Sequence, residues 1–203
     1  MFELNVSGQP VGWAHRPLCR RYRVALFETL TCQVREGNST HDLCFRWALG
    51  TDAERQCDVL GFWLHESTGP GVWHQILHDL AARGVDRIQL LLAADCQDVL
   101  AASGAAMTLA LQIEQAVSCF QQAATSSRLR RSHDATKLAA ECMQAELIRL
   151  VGRHGSFASL ASAVDFLGPA LQRLDRRFWA AQATPACPAP RRRPVVAFPL
   201  ATA

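Results

Sequence analysis

The sequence predicts a mixed α/β fold: a sheet of three antiparallel strands followed by parallel strands, with an all-α region after it. Three observations carry this reading. Apolar, β-branched runs punctuated by turn-forming residues fill the first third of the chain; the run RIQLLLAAD at 87–95 is apolar without alternation; and a helical period dominates most of residues 105–182. With 203 residues and 49% hydrophobic content, the chain has enough apolar material to bury a core.

The elements follow in order. Residues 22–34, YRVALFETLTCQV, and 42–50, DLCFRWALG, are separated by the turn-like REGNSTH, which is a hairpin pattern. A third run, CDVLGFWLHES at 57–67, follows the polar TDAERQ and completes an antiparallel meander. Helix comes next, over 70–83: Ser67 or Thr68 is placed to cap it and Pro70 sits near its first turn. Val72, Trp73, Ile76, Leu77 and Leu80 share one face, and Gly84 supplies the stop. The unalternating run at 87–95 reads as a strand covered on both faces, hence parallel and central. A short helix from Gln97 to Ser103 crosses over to a last strand within MTLALQIEQ, at 107–115. From there to Gln182 the pattern is helical, with breaks expected at SSRLRRSHD, GRHGS and LGP. The apolar faces bearing Leu147, Leu150, Phe157, Leu160, Phe166 and Phe178 must either pack in a local helical bundle or stand exposed as a patch for self-association. The expected organisation is a core over 1–104, a last strand and helical region over 105–182, and a disordered Pro/Arg-rich tail over 183–203.

Composition narrows the function classes. The net charge of +3 is carried almost wholly by arginine, Lys137 being the only lysine, which permits a nucleic-acid partner without requiring one. The 8 cysteines contain no C-x-x-C pair, so zinc knuckles and thioredoxin-like chemistry have no support, and reduced thiols of a cytoplasmic protein are expected. The start MFELNVSGQPVGW lacks the pattern of a secretory signal. No apolar run approaches the roughly 20 residues that span a bilayer, so no membrane partner is expected.

The strand at 87–95 ends on Asp95, which in an open α/β sheet is where ligands gather; as a local feature the same residue also serves to cap the next helix. The local words are more specific. WAHRPL at 13–18, FETLTCQVREG at 27–37, ALG at 48–50, VLGFWLHES at 59–67, Trp73 and LHDLAARGV at 77–85 resemble the succession of motifs in Mutator-type bacterial insertion-sequence transposases. The resemblance is dense to Asp95 and thin beyond it. It implies a ribonuclease H-like domain and an Asp-Asp-Glu triad that holds Mg2+ or Mn2+ for DNA strand cleavage and transfer. The catalytic and metal-ligating positions then fall on Glu28, where the family has its first Asp, and on Asp95, the second. A site of this kind needs hard oxygen ligands from neighbouring strands, so that two ions steady the attacking and leaving oxygens. Glu28 and Asp95 are accordingly expected on adjacent parallel strands, pointing to the same end of the sheet.

The departures from the family are plain. Glu28 carries an extra methylene, and its alternative is a half-buried acid without metal. Glu114 and Val117 stand where the family has a Cys and a His, and the third acid has no counterpart, Glu141 and Glu146 reading as the solvated face of a helix. Arg128, Arg130 and Arg131, with Arg149 and Arg153, are candidates for phosphate contact, the alternative being plain solvated surface. RRRP at 191–194 belongs to the tail. His74 and His78 have zinc spacing but no third ligand nearby, and the SHD at 132–134 cannot build a triad from adjacent residues. The reading is a transposase-like, catalytically incomplete protein of the Mutator family, with DNA at the element ends as partner. It stands beside a non-catalytic DNA-binding or dimerisation module that regulates a full-length transposase, and an inert product of a decayed element. A homo-oligomer or the full-length transposase is a further partner, and nucleoid association follows if DNA is bound.

Overall fold

Each apolar run flanked by turn residues becomes a strand in the computed structural model, which describes residues 11–36, 39–66, 69–105, 111–118 and 127–182. A short helix, α1 (Val11–Ala14), precedes the meander of β1 (Arg21–Glu36), β2 (Ser39–Thr51) and β3 (Cys57–His65). Both meander pairings are antiparallel, and the β2–β3 register shifts between Ala48 and Leu49. Helix α2 (Pro70–Ala82) begins on its proline and is followed by Gly84 at φ 99, a left-handed conformation that glycine takes without steric cost. It leads to β4 (Arg87–Ala93), α3 (Cys96–Ala105) and β5 (Gln112–Ser118). The sheet order is β3-β2-β1-β4-β5, with β4 parallel to both β1 and β5.

β4, the middle one of the three parallel strands, is apolar because both of its sides are covered. Leu91 and Ala93 pack with Phe27, Trp73, Ile76 and Val99 under α2 and α3, whereas Leu90 and Leu92 join Leu26, Phe45 and Trp47 on the other side. That second side is closed by α4 (Ser127–His154) and α5 (Leu160–Gln182), which contribute Ala140, Met143, Leu147, Leu167 and Leu171 to the core. The helices after β5 therefore form the second cover of the sheet. Leu147 and Phe157 are fully buried, and Leu150, Leu160, Phe166 and Phe178 pack against the same core, so neither a free-standing helical bundle nor an exposed patch forms from these residues. Phe157, in the link between the two helices, is sewn to the sheet: its N–H donates to the carbonyl of Gln33 (2.8 Å) and its carbonyl accepts from the N–H of Arg35 (2.7 Å).

Two expected breaks are helical in their described residues. SSRLRRSHD, of which Ser126 lies outside the described residues, supplies the first turns of α4 from Ser127, where Ser132 and Thr136 are buried and Thr136 bonds both the Ser132 carbonyl and Thr51 of β2. Tertiary burial of one polar face overrides the loop-like composition. LGP lies inside α5, with Pro169 in the helix interior. There the glycine serves packing: a Cβ on Gly168 would stand 3.1 Å from the Phe62 ring. The third break is real, as α4 ends at His154 with Gly155 at φ 80. The last strand begins at Gln112 and includes 112–115 of the run expected at 107–115, of which 107–110 lie outside the described residues. The tail at 183–203, with its RRRP, lies outside them as well.

Candidate functional site

Asp95 stands just past the end of β4, in the turn to α3. Its Oδ2 accepts two hydrogen bonds, from Arg46 Nη2 at 2.7 Å and from Trp73 Nε1 at 2.9 Å. Trp73 is brought there by the apolar face of α2, and Arg46 by β2, two strands away from β4. The guanidinium lies over the Trp73 ring, 4.5 Å from its centroid, and its Nε donates to Thr29 Oγ1 at 3.4 Å. Its side chain is 5% exposed while that of Asp95 is 28% exposed, so the pair is a buried cation held by a half-buried anion. Among the described residues, Arg46 Nη1 and His65 Nε2 are buried without a hydrogen-bond partner. Burial first and the charge of Arg46 second push the His65 imidazole down to about 4, leaving it neutral at pH 7.

Glu28 lies on β1, opposite Trp47 of β2. Burial first and the neighbouring carboxylate of Glu141 second raise its pKa, with Lys137 opposing them. Both neighbours belong to α4, so Glu28 looks toward the face that α4 covers. β1 and β4 are adjacent and parallel, as expected, but their two acids turn to opposite faces. The strand period explains this. Glu28 is in phase with Leu26 and Leu30, on the side that α4 covers, whereas Asp95, in the turn after β4, bonds Trp73 of α2 on the other side.

The remaining candidates scatter. Glu114 of β5 pairs with Arg87 at 2.7 Å, and Val117 packs against the core. Arg128 is the second residue of α4, and Arg130 and Arg131 follow it with exposed side chains. Arg149 is occupied by Glu146 at 2.9 Å, and Arg153 is exposed at the other end of the helix. His74 and His78 lie on the exposed side of α2. His133 and Asp134 do touch, at 2.9 Å, but Ser132 points into the protein, so the three form no relay. Among the described residues no group of three His, Cys, Asp or Glu could hold a metal ion, and no helix is long and apolar enough to cross a membrane.

Sequence reasoning did not find Arg46 or Glu141 as neighbours of the two acids. Arg46 alone had a signal, a charged residue in the middle of the apolar run DLCFRWALG, where a buried cation demands a buried partner. The placement of Glu141 beside Glu28 depends on α4 returning to the sheet, which local pattern does not encode.

A five-stranded mixed sheet covered on both faces by helices, with an acid just past the end of β4, defines the class: a mixed α/β protein. Comparison with known proteins is more particular. Residues 6–140 match the family described as transposase, Mutator family, and the chain belongs to that family. A probable transposase for an insertion sequence element of Corynebacterium diphtheriae is 30% identical over 73 residues, which cover 36% of this chain and 21% of that protein. A probable transposase for an ISRM3-like element of Sinorhizobium fredii and the transposase for insertion sequence element ISRM3 of Rhizobium meliloti are each 26% identical over 90 residues, covering 44% of this chain and 20% of theirs. The matched stretch thus spans about a fifth of the length of these relatives.

Proposed function

We propose that the chain is the ribonuclease H-like part of a Mutator-type transposase and that it engages DNA without cutting or joining it. The sheet order, with the parallel β1/β4 pair at its centre, supports the ribonuclease H-like reading of the family match. The observation that carries the loss of chemistry is the engagement of Asp95 by Arg46 and Trp73. Magnesium and manganese require several hard oxygens converging on one point. Here Oδ2 of Asp95 is spent on two N–H donors, and Glu28 faces α4. The residues present do not fit the family's metal pair.

Contact with DNA is a separate matter, because arginine–phosphate pairs need no metal. Arg130 and Arg131, on the exposed first turns of α4 beside Arg128, are the proposed contacts, with the ends of the parent element as the DNA and the cytoplasm, at the nucleoid, as the place. Such a protein would act as a DNA-binding module alongside a full-length transposase. Fluorescence anisotropy with labelled duplex DNA at a series of salt concentrations tests this. Binding that weakens linearly in log salt is expected, and weaker binding still for Arg130→Ala with Arg131→Ala. Binding that is insensitive to both the salt and the substitutions would contradict it.

A further inference from the structure

We propose that the guanidinium of Arg46 is the resident counter-cation of Asp95, held where a divalent ion would have to approach that carboxylate, so that this end of the sheet is a metal-independent clamp. The proposal rests on the reading of Asp95 as the family's second acid.

Burial makes Arg46 the demanding partner. A guanidinium that is 5% exposed cannot be left to water, and Asp95 is the carboxylate that reaches it. Three contacts keep it from swinging away: Trp73 beneath its plane, Thr29 at Nε and Asp95 at Nη2. Trp73 itself cannot move aside, being fully buried with its ring edge-on to Phe27 at 4.9 Å. Its indole N–H also fixes the orientation of the carboxylate by donating to the same Oδ2 that Arg46 uses. Charge closes the case. The pair is neutral as it stands, and a divalent ion on the free oxygen of Asp95 would leave two excess positive charges beside a buried cation, where low dielectric magnifies repulsion. Freeing Asp95 for metal would instead strand Arg46 inside the protein. The sheet thus carries its own cation, one that can donate N–H bonds but cannot coordinate and activate a water or a phosphate oxygen as a metal ion does.

Thermal melting of the full chain in EDTA and in about 10 mM MnCl2 tests the clamp, since a ligand that binds only the folded state raises Tm by mass action. The wild-type chain is expected to melt at the same temperature in both. Arg46→Met removes the resident cation, leaves the Asp95 carboxylate without its partner and should melt at least about 3 °C lower than the wild type in EDTA; adding Asp95→Asn to it should cost less than Asp95→Asn costs the wild type, because the two groups no longer depend on each other. Arg46→Lys, which keeps a cation and guards against a variant too damaged to fold, should show no manganese response. A manganese-dependent rise of the wild type that Asp95→Asn abolishes would overturn the proposal, as would an Arg46→Met chain that melts at the wild-type temperature in EDTA. These outcomes are separable from the proposed function. Strand transfer by a chain indifferent to manganese in melting would sink that function and leave the clamp, while manganese bound at Asp95 without DNA cleavage would do the reverse.

Discussion

Phe157→Ala would test whether the helices after β5 fold as one unit with the sheet. Phe157 is fully buried at the link between α4 and α5, its ring 4.3 Å from that of His154 and 5.6 Å from that of Phe166. Truncation removes its transfer energy and leaves a cavity, a loss of about 3–5 kcal/mol for a buried Phe. The aromatic pairs lost with it push the value to the upper part of that range. Its backbone bonds to Gln33 and Arg35 survive the substitution, so the loss is one of packing. Urea denaturation followed both by tryptophan fluorescence and by far-ultraviolet circular dichroism reads it out. Trp47 and Trp73 lie on opposite sides of the sheet, so fluorescence reports on both layers. A single transition, shifted by that amount with an unchanged m-value, is expected with both probes. A loss under about 1 kcal/mol, or helix content melting separately from the fluorescence, would refute the shared core.

Other outcomes follow from particular contacts. Burial first and the charge of Asp58 second raise the pKa of Asp175 in α5; burial likewise raises that of Asp58 in β3 against the opposing pull of Arg16. A carboxyl whose folded pKa lies above its unfolded value stabilises most when protonated in both states, and that contribution fades as pH rises through the folded pKa. Stability should therefore fall as pH climbs out of the ordinary carboxylate range, and Asp175→Asn should flatten the fall in urea melts; an unchanged slope would count against the buried pair. Gly50→Ala should cost about 1–3 kcal/mol, because its Cβ would meet the Tyr22 ring and Leu60 at 2.7 Å; a neutral result in the same melts would contradict that crowding. Arg130→Ala and Arg131→Ala should each lower the salt slope of DNA binding by about 0.9 while leaving Tm unchanged, and an unaltered slope would move the contact elsewhere.

Much of the fold was legible because it is written locally. Turn residues at REGNSTH and TDAERQ, the one-sided apolar face of α2 and the unalternating β4 each declare their element within a dozen residues. What local pattern could not convey was where the later helices go. SRLRRSHD reads as a loop until Thr136 is seen against Thr51, and LGP reads as a stop until Gly168 is seen against Phe62. The site divides the same way. That β1 and β4 would be parallel neighbours followed from the order of elements, and Asp95 as the terminus of β4 followed from its run. That their acids would turn to opposite faces depends on where the turn after β4 places Asp95, and that Arg46 would reach Asp95 from two strands away depends on the sheet order. Neither is encoded in a window of sequence.

The central claim is that this member of the Mutator transposase family keeps the fold and lacks the chemistry, and an end-joining assay addresses it most directly. The purified chain, incubated with labelled DNA carrying the ends of the parent element and a target plasmid in MnCl2, is expected to form a salt-sensitive complex and no cleaved or joined product. Metal-dependent strand transfer into the plasmid, abolished by Asp95→Ala, would contradict it.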